Sequence, residues 1–352
     1  NNGNAHFLRG LLRAMQTLGH DVQAFEPVRE WSINNLRAEP AGERSLEQFA
    51  ATYSDLRVIT YGAPSGDDAA YWRGALNDVD VVMLHEWNPP ALAKLVLKVR
   101  EKAGFKLLFH DTHHRASSSP EQIGEYGTER FDGVIVFGEA LRAIYRERFG
   151  MDRVWTLHEA ADTTVFKPQG GAKKQDVVWI GNWVDDERSS EIREFLLRPA
   201  SAMADREFVI YGVRYPKGAL EALKHACVRY GGYLPNLDAV RVYGESRLTV
   251  HIPRQQYADA MHGIPTIRVF EALACGIPLI SAPWNDTEHL FREGDFATAK
   301  NGAEMQEEME RLLDDPEAAQ AQAQRGLETV LARHTCRHRG EELAAICEEV
   351  LR

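Results

Sequence analysis

Residues Arg268 to Ile280 read RVFEALACGIPLI, and this run decides the fold. Val269, Ala272 and Leu273 fall at helical spacing. Gly276 then stands where a left-handed C-terminal cap is wanted, and Pro278 forbids continuation of the helix. The apolar residues after Pro278 suit a buried strand. Glu271 is the residue out of place. An acid within a mostly apolar helix is costly to bury unless something hydrogen-bonds it, and the two adjacent hydroxyls of a ribose would do so bidentately. The free N–H groups near Pro265 to Ile267, with Thr266 at the start and Arg268 beside them, would face a phosphate. The alternative is an acid near a helix N-terminus that only complements the dipole.

Outward from this run, short apolar stretches alternate with longer helical patterns. That alternation predicts parallel sheets with crossover helices. After a helix over about Ala5 to Leu18, strands are expected at Val22–Phe25, Val58–Tyr61, Val79–Leu84, Lys106–Phe109, Val134–Phe137 and Val154–Leu157. The QGGAKKQ stretch after Pro168 has linker composition. Beyond it, strands are expected at Val177–Ile180, Phe208–Tyr211, weakly near Gly232–Leu234, and at Leu248–Ile252, Leu279–Ser281 and Phe296–Ala299. The tail from about Ala303 reads as helices. The opening NNGN lies directly ahead of a helix pattern and reads as a loop whose preceding strand is missing from the sequence.

The length of 352 residues points to two domains. An apolar content of 44%, a charged content of 26% and a net charge of −11 fit a soluble globular enzyme. The acidic balance argues against nucleic acid and against anionic lipid as partners. The four cysteines follow no metal-binding spacing, which suits reduced thiols and a cytoplasmic location. No apolar run has the length of a membrane span.

The RVFEALACGIPLI run resembles the E-A-x-A-C-G-x-P signature of the group-1 glycosyltransferases, whose glutamate binds the nucleotide ribose. The longer stretch HIPRQQYADAMHGIPTIRVFEALACGIPLISAPW resembles the branch related to the spore-maturation protein CgeB. NNGNAHFLRGLLRAMQTLGHDV near the start and ARHTCRHRGEEL near the end do so too. The resemblance implies an α/β fold of two facing Rossmann-like doubly wound domains with an interdomain cleft (GT-B) and C-terminal helices. It places an acceptor-side domain at 1–167, a nucleotide-sugar domain at 168–334, and a last helix at 335–352 that packs back on the first domain. The activity it implies is metal-independent transfer of a sugar from a nucleotide diphosphate sugar, most readily a UDP-sugar, with no tightly bound cofactor. Two alternatives stay open: a nucleotide-sugar 2-epimerase, and a non-catalytic sugar-nucleotide or glycan-binding protein.

Ligands of open α/β sheets gather outside the carboxyl ends of the strands, and this rule selects the remaining candidates. In the LLFHDTHH run, His110, Asp111, His113 and His114 crowd one strand end. Three imidazoles on adjacent loop positions cannot all converge on one metal ion; structural hydrogen bonding of the loop and a role in catalysis or acceptor binding both stay open, and Asp111 or His113 is the choice if a general base exists. Gly3 in the opening loop lets a ligand approach closely, whereas His6 reads as a surface residue. Gly181 and Asn182 follow one strand, and the WVDDERSS run after them reads as a turn entering a helix whose N–H groups meet a diphosphate. Arg254 follows another strand and suits phosphate, with Arg188 and Arg214 weaker choices. His85-Glu86 precedes a Trp-Asn-Pro-Pro turn that shapes the acceptor side. His158-Glu159 leads into AADTTVF, which resembles the family's G-V-D-x-x-x-F-x-P segment and reads as hinge architecture. Trp183 and Tyr233 are better read as core than as base-stacking residues. Many retaining members carry a second acid eight residues before the ribose-binding glutamate, where this chain has Gly263. The stereochemistry of transfer is therefore not read from the sequence.

Overall fold

The computed structural model describes residues 3–28, 31–39, 41–62, 65–183 and 188–352. The chain divides into two compact units. One comprises Asn1–Gly10 with Glu159–Cys336, the other Leu11–His158 with Arg337–Arg352. The chain therefore passes between units at 10/11, 158/159 and 336/337. Gly3 opens the first helix, Gly3–Thr17, instead of standing in a loop.

The unit of Leu11–His158 contains two parallel sheets among its described residues. Strands β1 (Ala24–Pro27) and β2 (Val58–Tyr61) pair with each other. Strands β3 (Val81–His85), β4 (Lys106–Asp111), β5 (Gly133–Val136) and β6 (Val154–Thr156) lie side by side in chain order. Nearly all of β4 and β5 is buried, and their continuous apolar reading reflects a strand covered on both faces. The final helix, Cys336–Leu351, packs against β6 through Glu349, whose carboxylate accepts from Trp155 Nε1 at 3.1 Å and whose carbonyl accepts from Arg153 at 3.2 Å.

The other unit is built on six parallel strands: β7 (Gln175–Ile180), β8 (Phe208–Tyr211), β9 (Val228–Tyr230), β10 (Ser246–His251), β11 (Leu279–Ser281) and β12 (Ala297–Thr298). Their spatial order is β12-β11-β10-β7-β8-β9. From β7 the chain winds outward one way through β8 and β9, then restarts at β10 on the other side. This is the doubly wound order of a Rossmann sheet, with its switch point between β7 and β10. The core is filled by Val177, Trp179, Phe208, Ile210, Leu248 and Val250 from the sheet, with Met305, Met309 and Leu312 from the Gly302–Asp314 helix. Trp183 belongs to this core, with Nε1 donating to Ser189 Oγ at 2.9 Å. One strand lies away from its expected place: β9 is at Val228–Tyr230, four residues before the expected piece near Gly232. It is an edge strand with two of its three residues exposed, so it carries no apolar run to read.

The later helices start where side chains satisfy their free N–H groups. Asn301 accepts from Ala303 and Glu304, and Asp315 accepts from Glu317 and Ala318 ahead of Pro316. The Pro316–Arg333 helix reaches the Ile267–Ala274 helix because position 326 has no side chain. A Cβ there would stand 2.7 Å from Leu273 Cδ2 and 2.8 Å from the Asp295 carbonyl. Gly326→Ala is expected to cost about 1–3 kcal/mol by overpacking. Differential scanning calorimetry would register a melting point lower by several degrees, and an unchanged one would contradict this packing.

Candidate functional site

The Ile267–Ala274 helix begins after Thr266, an extended residue whose side chain makes no capping bond, and ends before Gly276 at φ 64°. Pro278 then starts the chain into β11. Every residue of the helix except Arg268 is buried. Glu271 is among them, at 0% exposure. Its Oε1 accepts from Asn236 Nδ2 at 3.0 Å and lies 3.1 Å from His6 Nδ1, and its Oε2 accepts from Arg268 Nη1 at 2.5 Å. Burial works against the carboxylate, but the Arg268 charge with the His6 and Asn236 contacts outweighs it and holds the group below its ordinary pKa. Arg268 also bonds the buried Tyr243 hydroxyl and stays firmly charged.

His6 corrects the surface reading. It is 0% exposed, packs on Phe166 with ring centroids 4.2 Å apart, and its Nε2 accepts from the Asp162 N–H at 3.1 Å. An acceptor at Nε2 leaves Nδ1 as the N–H nitrogen, turned to Glu271. No local pattern marks this contact, because the partners stand 265 positions apart. Asn236, also buried, was missed for the same reason.

Glu159 was read as hinge architecture, and the structure gives it a second character. It is 4% exposed and accepts a hydrogen bond from the Ile267 N–H at the start of the helix. Burial and the nearby Glu271 charge push its pKa up to about 8, against the pull of Arg268 and the Ile267 N–H. The two buried acids therefore divide the roles: Glu271 keeps the charge and Glu159 keeps a proton at neutral pH.

Around the switch point, Gly181 and Asn182 follow β7, and Arg254 follows β10 at the start of the Gln255–Ala260 helix. The Gly181 N–H is already donated to the Tyr211 carbonyl at 2.9 Å. Asn182 Oδ1 accepts from the Val213 N–H at 3.0 Å, and its carbonyl accepts from Arg188 Nη1 at 3.3 Å. Arg254 is half-buried and Arg214 exposed. Of the WVDDERSS run, residues 184–187 lie outside the described residues, and Ser189–Ile192 is helical.

In the unit of Leu11–His158, Asp111 closes β4 with no exposed surface. Its Oδ2 accepts from the Tyr145 hydroxyl at 2.7 Å and its Oδ1 from the His113 backbone N–H at 2.9 Å. Burial raises its pKa to about 7 in spite of both bonds. His113 is half-buried, with its ring at 5.2 Å from Trp87 and 4.1 Å from His114. His110 is wholly buried and held neutral, its pKa pushed down to about 4 by burial. His114 turns to Ser118 Oγ at 2.9 Å. Among the described residues, no three His, Cys, Asp or Glu side chains converge as metal ligands. Nor is any helix among them long and apolar enough to cross a membrane.

A family model described as glycosyl transferase-like matches residues 188–345, a span that includes Arg254, Arg268 and Glu271. No curated protein matches the chain. Solved structures do. A glycosyltransferase from Rickettsia africae is 12% identical with a TM-score of 0.68, the alignment covering 98% of this chain and 94% of that one. HepE from Anabaena, in complex with UDP-glucose, is 13% identical with a TM-score of 0.68 over 97% and 96% of the two chains. A sucrose-phosphate synthase from Thermosynechococcus elongatus is 14% identical with a TM-score of 0.60 over 80% and 77%. At these identities the likeness is one of fold, and the family model, which covers less than half of the chain, matches within that fold.

Proposed function

We propose that this chain is a glycosyltransferase of the group-1 superfamily, in its CgeB-like branch, that moves a hexose from a UDP-sugar to an acceptor hydroxyl. The observation that carries this reading is Glu271, charged and wholly buried on a helix inside the family-matched span. A buried carboxylate with three polar neighbours is costly to keep unless its charge is used. HepE, of the same fold, binds UDP and UDP-glucose, which supports the choice of nucleotide.

In this reading the donor lies at the switch point between β7 and β10, lined by Gly181, Asn182, Arg254 and Thr266, with Gly3 beside it. An ionised carboxylate offers about four lone-pair sites. Asn236 and Arg268 take two of those on Glu271, and His6 Nδ1 stands 3.1 Å from Oε1. Arg268 is the most exposed of these partners, with 27% of its side chain open to solvent. On donor binding it turns to the diphosphate and frees Oε2 for the ribose hydroxyls. Departure of the nucleotide diphosphate leaves negative charge on the β-phosphate. Arg268, Arg254 and the Ile267 end of the helix stabilise that growing charge, so this positive set serves a transfer that needs no metal ion. On the acceptor side, His113 takes the hydroxyl proton, and Asp111 is a positioning residue that fixes the His113 backbone.

Glu271→Gln removes the charge while keeping the volume. It is expected to weaken UDP binding by about 10- to 100-fold, the value of a charged hydrogen-bond set. Calorimetric titration of the folded variant measures this, and an unchanged affinity would remove Glu271 from the ribose role. A pH series tests the other acid. Below about 8 Glu159 is neutral and holds the Ile267 N–H through an uncharged oxygen; above it the ionised carboxylate holds that N–H more strongly and sets a negative charge against the diphosphate. UDP affinity should fall as pH rises through this value in the wild type and stay flat in Glu159→Gln, whereas parallel curves would exclude Glu159 from the donor site.

A further inference from the structure

The turn between β3 and the Pro90–Ala103 helix holds a tryptophan out in water and is built to keep it there. Trp87 is 55% exposed, more than any other large apolar residue described. Its neighbours in the chain are tied down. The Tyr126 hydroxyl lies 2.6 Å from the Glu86 carbonyl and 2.7 Å from the Asn88 carbonyl. Arg115 donates to the Glu86 carbonyl at 2.9 Å and forms an ion pair with the wholly buried Glu86 carboxylate. The Asn88 N–H and Nδ2 both donate to the His85 carbonyl, at 3.0 and 2.9 Å. These bonds hold the backbone on both sides of Trp87, and an indole left exposed on such a turn forgoes about 2–3 kcal/mol of burial.

What surrounds the ring states what it can hold. The Arg115 guanidinium lies over the ring, 5.0 Å from its centroid, with its charge balanced by Glu86, and the His113 ring stands 5.2 Å away at 79° to it. The result is an aromatic plate backed by a paired guanidinium, with an imidazole beside it. A charged or fatty ligand gains little from it. A pyranose fits: its axial C–H groups pack on an aromatic face while its hydroxyls stay outward to meet the imidazole and water.

We propose that Trp87 is a stacking platform for a pyranose ring of the acceptor, so that the acceptor is a saccharide, with His113 beside one of its hydroxyls. This rests on the reading of the chain as a glycosyltransferase with its acceptor on this unit. Saturation-transfer NMR with maltotriose, cellotriose, chitotriose and mannotriose, run beside a calorimetric titration with UDP, tests it on the wild type, Trp87→Phe and Trp87→Ala. At least one triose is expected to bind the wild type. Trp87→Phe should retain much of that binding, Trp87→Ala should weaken it by at least about tenfold, and UDP affinity should be the same in all three. UDP binding without any triose binding would overturn the platform and leave the donor site standing. Equal triose binding by Trp87→Ala would overturn it too, and so would a loss of UDP affinity in that variant, which would make the plate a nucleobase site. Triose binding that depends on Trp87 without UDP binding would sink the donor reading instead. Because the side chain is mostly exposed, the melting point of Trp87→Ala should match the wild type and show that the fold is intact.

Discussion

The candidate donor site depends on one buried charge pair. Glu271 and Arg268 sit one turn apart on a helix otherwise made of Ile, Val, Phe, Ala and Leu, and the carboxylate has no exposed surface. Replacing such a pair with apolar residues often leaves a protein no less stable, so its presence is weak evidence for stability and better evidence for use. His6 and Asn236 complete the arrangement from other parts of the chain. Between them they fix the carboxylate's orientation before any ligand arrives, which is what preorganised recognition requires.

The same pair sets the state of a second acid. Glu159 is close enough to feel the Glu271 charge and is equally cut off from water, so only one of the two keeps a negative charge at neutral pH. Glu271 bonds the guanidinium directly and has two further polar neighbours; Glu159 accepts from the Ile267 N–H and feels the Arg268 charge through space. The outcome follows from that difference in partners. In the other unit Asp111 repeats the theme, with a buried carboxyl whose bonds to Tyr145 and His113 do not fully offset burial. Those bonds tie the Tyr145 hydroxyl and the His113 backbone to one carboxyl, and His113 is the more exposed residue of the two.

Much of the fold was legible because parallel strands covered on both faces are continuous apolar runs. Phe208–Tyr211 and Leu279–Ser281 are of this kind and begin and end where expected, as does Val58–Tyr61, which is apolar although partly exposed. The edge strand Val228–Tyr230 was not, since an edge needs no apolar run. The Glu271 helix and its Gly276 stop could be read from thirteen residues because cap, turn and strand signals are local. The partners of Glu271 could not. His6 and Asn236 meet it through tertiary packing, and a histidine one turn into an amphipathic helix carries no mark of whether it faces water or the core. Glu159 and Asp111 show the complementary limit: residue type and strand-end position are visible in sequence, while burial, which decides protonation, is not.

The most direct measurement is a crystal structure of the chain soaked with UDP. The account predicts ribose hydroxyls within hydrogen-bond distance of the Glu271 carboxylate, Arg268 turned onto the diphosphate, and the phosphates against the start of the Ile267–Ala274 helix. UDP bound elsewhere, with Glu271 still held only by His6, Asn236 and Arg268, would contradict it.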